Sequence, residues 1–414
     1  MKLMLSHPTG NANVRAAAMG FANALMLTKF HTSIATFPGN IFDRLSKFNF
    51  LAEIKRRNFN PLLQPFTTMH PLYETGRMIA GKAGLQKLVQ QETGTFSVDA
   101  VYNQLDKSVA KTLNRAKGKG LIGVYAYEDG AIESFKIAKQ LGLKCYYDLP
   151  IGYWKASRLL LAKEHSKWPD WAATLTGMID SDSKLARKDE ELLLADRIFV
   201  ASSFTSKTLQ SFSGKLAPIE IIPYGFPPVT EKRTYAALVQ RPLKILFVGG
   251  LSQRKGIAEL FTAVNTFGKK VALTIVGKRV TNNCPALDMQ LSKHKWLPGL
   301  VHDDILLLMK QHDVLIFPSL FEGFGLVISE AMSQGTPVIT TERTAGPDLI
   351  INGENGWLIE AGSTIALIAA IDELLNKPDS IINCGKAAME TACARPWEMY
   401  GNELAQAILK DDNG

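Results

Sequence analysis

Cysteine is scarce in this 414-residue chain: four residues, Cys145, Cys284, Cys384 and Cys393, stand far apart with no CxxC pair. That spacing points to neither a zinc module nor a disulfide framework, and a reducing cytoplasm is the expected compartment. Uninterrupted apolar runs of about 18 residues, the length a membrane helix needs, are missing as well. The opening MKLMLSHPTG lacks an apolar run long enough for a signal peptide. Low-complexity tracts and short internal repeats are also missing. What is present, 46% hydrophobic and 21% charged residues, is the composition of a folded globular protein. The length calls for two domains rather than one core.

The net charge of +8 is lopsided. Residues 1–120 hold 16 Lys+Arg and 6 Asp+Glu, a balance of +10, whereas the remainder holds 31 and 33, a balance of −2. The basic residues follow no nucleic-acid-binding module, so no nucleic-acid partner is expected. Within residues 41–92, Phe42, Leu45, Phe48, Phe50, Leu51 and Ile54 interleave with Arg44, Lys47, Lys55, Arg56 and Arg57. The pattern reads as basic amphipathic helices. They either lie on an anionic membrane surface, on its inner, cytoplasmic face, or pack as a solvated hairpin on their own domain; both readings stand.

Short apolar strands alternate with helical stretches along most of the chain. Strands are expected at Met1–Leu5, Thr32–Thr36, Leu121–Ala126, Lys144–Asp148, Arg197–Ala201 and Ile219–Ile222, with helices at Ile132–Leu141 and Lys184–Ala195. Ser202 caps a further helix. Gly10 and Asn11, after the first strand, either let the backbone approach a ligand phosphate or form a plain turn. Residues 226–242 carry three prolines and little periodicity, which marks a linker between a domain at 1–225 and one starting at 243. Strands resume at Leu243–Val248, Val271–Val276, Val314–Phe317 and Val338–Thr340, with a helix at Ile257–Phe267 and a Gly-rich hairpin at Asn352–Trp357. Each half predicts a parallel sheet with helices on both faces.

The chemistry concentrates in FPSLFEGFGLVISEAMSQGTPVITTE, Phe317 to Glu342. A strand runs through Glu322-Gly323-Phe324-Gly325 into a helix, and the unpaired N–H groups of a first helical turn make an anion site. Glu322 and Glu330 stand eight residues apart, one before the helix and one about two turns inside it. Taken alone, this is either a ligand site or an ordinary β-α-β unit. Asp180-Ser181-Asp182 and His302-Asp303-Asp304 read as helix starts rather than metal clusters.

Taken together, several pieces resemble the retaining nucleotide-sugar glycosyltransferases of family 4, of the group 1 glycosyl transferases. These are PSLFEGFGLVISEAMSQGTPVI, with Glu322 and Glu330 at the E-x7-E spacing, GGLSQRKG upstream, IVGKR between them and NGENGWLIEAG downstream. ADRIFVASSFTSKTL, IEIIPYGF and ARPWEMYGNEL extend the likeness over roughly residues 190–400. The resemblance implies the GT-B fold, two facing Rossmann-like domains of α/β class with a cleft between them. It divides the second half into a nucleotide-sugar domain at 243–394 and a last helix, 395–414, that returns to the first domain.

It also implies roles. Arg254 and Lys255 would grip the donor diphosphate, Arg as a planar fork and Lys as a point charge. Glu322 would orient or stabilise the donor sugar, and Glu330 would hold the ribose hydroxyls. Gly250, Gly277 and the backbone from Gly323 through Phe324, Gly325, Leu326 and Val327, with Gly10 and Asn11 opposite, would complete the donor site. No metal and no cofactor is expected, the UDP- or GDP-sugar being a substrate. A same-face reaction, with the leaving phosphate taking the acceptor's proton, is preferred to a covalent Glu322 intermediate.

The first domain departs from the family pattern. Where relatives often carry a His, this chain reads YYDLPIGYW, with Asp148, and nearby YAYEDGA offers Glu128 and Asp129. These carboxylates either position the acceptor hydroxyl or simply cap helices. The expected activity is transfer of a hexose-type sugar to a polysaccharide or glycolipid precursor. The rivals are a nucleotide-sugar epimerase or hydrolase of the same fold and a non-catalytic sugar-nucleotide-binding protein.

Overall fold

Two parallel sheets carry the chain, as the alternating apolar runs require. The computed structural model describes residues 1–46, 49–116, 120–175, 179–238 and 240–412. The first sheet comprises β1 (Lys2–Ser6), β2 (Leu27–Thr32), β3 (Thr67–Met69), β4 (Leu121–Tyr127), β5 (Lys144–Leu149), β6 (Arg197–Val200) and β7 (Ile219–Ile221), in the order β3-β2-β1-β4-β5-β6-β7. The second comprises β8 (Leu243–Val248), β9 (Val271–Val276), β10 (Lys295–Leu297), β11 (Val314–Phe317), β12 (Val338–Thr341) and β13 (Trp357–Ile359), in the order β10-β9-β8-β11-β12-β13. The pairings in both are parallel. Central strands such as β11, VLIF, are buried along their whole length, because helices cover both faces.

In each sheet the strand order reverses beside the first strand, between β1 and β4 and between β8 and β11. Open α/β sheets bind ligands outside the carboxyl ends of the strands at such a point. The loop after β1 holds Gly10 and Asn11, and the one after β4 holds Glu128. The loop after β8 holds Gly250, Arg254 and Lys255, and the one after β11 holds Glu322. Topology alone therefore carries most of the predicted residues to two switch points.

Several local expectations fail. β2 lies at Leu27–Thr32, not Thr32–Thr36, because the chain turns at Leu25 (φ 57°) and re-enters the sheet with Leu27 opposite Leu3. Thr36 forms only an isolated bridge to Asn58. The 41–92 segment is helical only in short pieces. Its described residues form short helical pieces at Ile41–Leu45, Asn49–Arg57 and Pro61–Phe66, then β3, then helices Pro71–Lys82 and Gln86–Val89. Pro61, Pro65 and Pro71 remove the backbone donors a continuous helix needs; Lys47 and Phe48 lie outside the described residues. The stretch around Asn352 to Trp357 is no hairpin either, since its exit becomes β13, parallel to β12.

The described residues of 226–242 form neither helix nor strand, but they are anchored on the second domain. Tyr235 donates to the Gly335 carbonyl (2.9 Å) and Arg233 to that of His312 (2.6 Å). The last helix, Trp397–Asp412, returns to lie on the helix Ala12–Asn23. The crossing is backbone to backbone: a Cβ on Gly20 would stand 2.1 Å from the Gly401 carbonyl oxygen.

Beneath that helix, Asp148 is enclosed by tyrosines. Tyr125 donates to Asp148 Oδ2 at 2.6 Å and Tyr400, from the last helix, at 3.4 Å. Asn13 donates to the hydroxyl of Tyr224 (3.2 Å), whose ring lies against Tyr400 and Phe324. Burial pushes the Asp148 carboxyl up to about 7, against the two tyrosine hydrogen bonds.

Two outcomes follow from these contacts. Gly20→Ala forces the last helix away and is expected to cost about 1–3 kcal/mol in urea unfolding. Between about pH 4 and 7 the folded protein holds the Asp148 proton while the unfolded chain releases it, so stability falls as pH rises through that window. Asp148→Asn keeps an acceptor for Tyr125 and removes the ionisation. Its melting temperature should change less than the wild-type value between pH 5 and 8, and an unchanged slope refutes the assignment.

Candidate active site

The turn after β8 and the loop after β11 face each other across a few ångströms. Ser252 caps a single turn, Gln253–Lys255, which Gly256 ends at φ 69°. This aims two cations at the neighbouring loop. The Lys255 ammonium pairs with the Glu322 carboxylate and lies 4.8 Å from the centre of the Phe317 ring. Arg254 reaches Glu322 Oε2 at 3.1 Å and donates to the Phe321 carbonyl at 2.7 Å. The three residues expected to do the chemistry are thus one cluster, two cations on one carboxylate.

Burial by itself would raise the Glu322 carboxyl, but Lys255 and Arg254 overcome it and hold it below the usual range. Glu322 is therefore ionised at neutral pH. Glu330, on the helix Leu326–Ser333, behaves oppositely: burial raises its carboxyl, and only His302, 3.7 Å away, opposes this. His302 belongs to the helix start His302-Asp303-Asp304, and no local pattern signals that it would meet Glu330.

The loop between them is shaped by missing side chains. Gly325 takes a left-handed conformation (φ 86°) and opens the helix whose first-turn N–H groups belong to Leu326 and Val327. Phe324 is buried, its ring 4.9 Å from that of Tyr224. Gly323 is pressed onto the first domain: a Cβ there would lie 1.9 Å from the Pro150 carbonyl oxygen. Its own carbonyl accepts from Ser202 (2.5 Å) and Thr205 (2.9 Å). Ser202 also caps its helix, accepting from the Thr205 N–H at 3.0 Å. The sequence disclosed the cap but not the domain contact.

The remaining predicted residues are placed unevenly. Gly250 is exposed at the end of β8, with nothing closer to a Cβ than Val280 at 3.9 Å. A Cβ on Gly277 would meet the Gly249 carbonyl oxygen at 1.8 Å, so that position is set by strand packing. Gly10 leaves room for the Phe59 ring, and exposed Asn11 starts the helix Ala12–Asn23 without capping it by side chain. Glu128 lies on the first-domain side of the cleft, 3.5 Å from Lys188. Asp148 stays inside the tyrosine core. Asp182 stands in the first turn of a helix that Ser181 caps, and Asp180 pairs with Lys184 at 3.1 Å. Among the described residues, no three His, Cys, Asp or Glu are grouped so as to hold a metal ion.

A second contact between domains, invisible to pattern reading, supports the Arg254–Lys255 turn. Ser252 donates to the Thr174 carbonyl (2.6 Å), and the Gln253 N–H donates to the Thr174 hydroxyl (2.9 Å). The buried Gln253 carboxamide bridges Glu164 (3.2 Å) and Glu259 (2.8 Å), and Trp168 donates to Glu259 at 2.6 Å.

With this geometry in hand, comparison with known proteins is informative. Residues 228–391 match the family described as Glycosyl transferases group 1. A glycogen synthase of Mycobacterium tuberculosis is 26% identical over 287 residues, covering 66% of this chain and 66% of that protein. A capsular polysaccharide biosynthesis glycosyltransferase, CapM of Staphylococcus aureus, is 32% identical over 243 residues, covering 53% of this chain and 63% of that protein. The chain thus spans about two thirds of the length of these relatives. Sucrose-phosphate synthase from Thermosynechococcus elongatus superposes with a TM-score of 0.67 at 18% identity, over 100% of this chain and 99% of that one. The chain has the GT-B fold, and its residues 228–391 match the Glycosyl transferases group 1 model.

Proposed function

We propose that this protein is a glycosyltransferase that moves a hexose-type sugar from a UDP- or GDP-sugar to a polysaccharide or glycolipid-precursor acceptor. The observation that carries the reading is the convergence of Arg254, Lys255 and Glu322 at the switch point of the group 1 domain. The match to a capsular polysaccharide glycosyltransferase favours a saccharide acceptor.

The chemistry follows from the charges. A departing nucleoside diphosphate gains negative charge as the glycosidic bond breaks. Arg254 and Lys255, already held in place and partly shielded from water, take up that charge in exchange for Glu322. No metal ion is required in this scheme. Glu322, released from the two cations, accepts hydrogen bonds from hydroxyls of the donor sugar, and Glu330 does the same for the ribose. With the leaving phosphate on one face of the sugar taking the acceptor's proton, the new bond forms on that face and the configuration is retained.

The enzyme is assigned to the cytoplasm, resting on the inner membrane face through residues 41–92. In that basic segment Ile41, Leu62, Leu72, Ile79 and Leu85 are all exposed. No described helix is long and apolar enough to cross a membrane, so the contact would be peripheral.

Glu322→Ala and Arg254→Ala should each lower transfer from the preferred UDP- or GDP-sugar by at least about 100-fold with unchanged far-UV circular dichroism. Full activity in both variants removes the assignment, and isomerised donor formed without any acceptor replaces it with an epimerase. Liposome flotation should recover the protein with anionic but not with neutral vesicles; equal recovery from both ends the membrane reading.

A further inference from the structure

We propose that the small cavity between Phe321 and the first domain is a subsite for one uncharged sugar ring of the acceptor. The proposal rests on the transferase reading above and narrows its substrate. The cavity is about 170 Å³ and is lined by Glu128, Gly152, Trp154, Arg158, Lys188 and Phe321, among others. Pockets for drug-sized ligands are roughly 300–1,000 Å³. This one is therefore too small for a nucleotide and of a size for a single ring.

Its position ties it to the chemistry. Phe321 directly precedes Glu322, and the Arg254 side chain donates to the Phe321 carbonyl (2.7 Å). The Phe321 ring sits where a side chain on Gly152 would be, 2.5 Å from that missing Cβ, and packs edge-on against Phe204 at 5.4 Å. A ligand in the cavity would touch the side chain next in sequence to the carboxylate that Arg254 and Lys255 hold.

The walls select against charge. Glu128 and Asp180 are balanced by Lys188 and Arg158, so the lining offers an ionic ligand no net attraction. The aromatic side chains of Phe321 and Trp154 give apolar surface beside these polar groups, a mixture suited to a ring with hydroxyls at its edge and C–H bonds on its faces.

The most telling group is Lys188. It is buried, yet its ammonium lies 3.5 Å from Glu128, 3.5 Å from Asp129 and 3.7 Å from Asp180. Ordinary N–H···O bonds span about 2.7–3.2 Å, so the ammonium is held by long contacts, a stretched hydrogen bond to Glu128 among them, and has three N–H groups to place. A hydroxyl oxygen entering the cavity would accept from Lys188 and donate to Glu128 at normal lengths. Burial, opposed by Lys188, brings the Glu128 carboxyl to about 7, so near neutral pH it both donates to and accepts from hydroxyls.

Saturation-transfer NMR on the full chain tests this with two groups of probes. UDP and GDP report the donor site; methyl α-D-glucopyranoside, galactopyranoside and mannopyranoside, set against glucose 6-phosphate and glucuronate, report the cavity. At least one methyl pyranoside should receive saturation and the two anions should not. That signal should vanish in Ser157→Trp, which fills the cavity, and in Lys188→Gln, while the nucleotide signal persists in both variants. Circular dichroism and melting temperature identify a variant that has lost its fold, leaving the other to decide. Silence from all three pyranosides, a preference for the anions, or pyranoside signals that survive both substitutions overturns the subsite. Pyranoside binding without any nucleotide binding overturns the transferase reading and leaves the sugar site standing.

Discussion

Gly323 is the point on which the site depends. Its backbone is wedged against Pro150, with no space for even a methyl group, and its carbonyl is held by two hydroxyls from the opposite domain. Because the contact is made by backbone, the residues on either side have little freedom. Glu322 is directed back toward the Arg254–Lys255 turn, and Phe324 is driven into the aromatic cluster with Tyr224. The loop that bears the central carboxylate is therefore positioned by both domains at once.

The same dependence reappears on the cation side. The Arg254–Lys255 turn is pinned by Thr174 and by the Gln253 bridge between Glu164 and Glu259. Elements of both domains share these polar contacts, so a change in the domain interface is felt by the Arg254–Lys255–Glu322 cluster. Tyr400 and Tyr224 extend the coupling through Asp148 to the last helix.

Three carboxylates largely shielded from water show how environment assigns chemistry. Glu322 stays ionised because two cations outweigh the cost of burial. Asp148 meets only hydroxyls and is pushed up to about 7. Glu128 has a cation nearby but at long range, and it too reaches about 7. Residue type alone would treat them alike; their partners separate them.

The sequence by itself determined the two-sheet architecture, because short apolar strands separated by helical periods leave few other folds. The roles of Arg254, Lys255 and Glu322 were legible only through the resemblance to a known family; the strand order that brings their two loops to one switch point belongs to the fold. In 41–92 apolar spacing looked helical, and Pro61, Pro65 and Pro71 cut that helical stretch into short pieces. The sequence misplaced β2 and passed over β3 and β10, three-residue strands that exist only because a neighbour pairs with them. Asp148 and Glu128 looked equivalent as cleft candidates, and only the returning helix with Tyr400 put one in the core and left the other facing the cavity. Lys188, Gln253 and His302 carry no local signal. Their roles arise from packing between segments far apart in the chain, which a one-dimensional pattern does not encode.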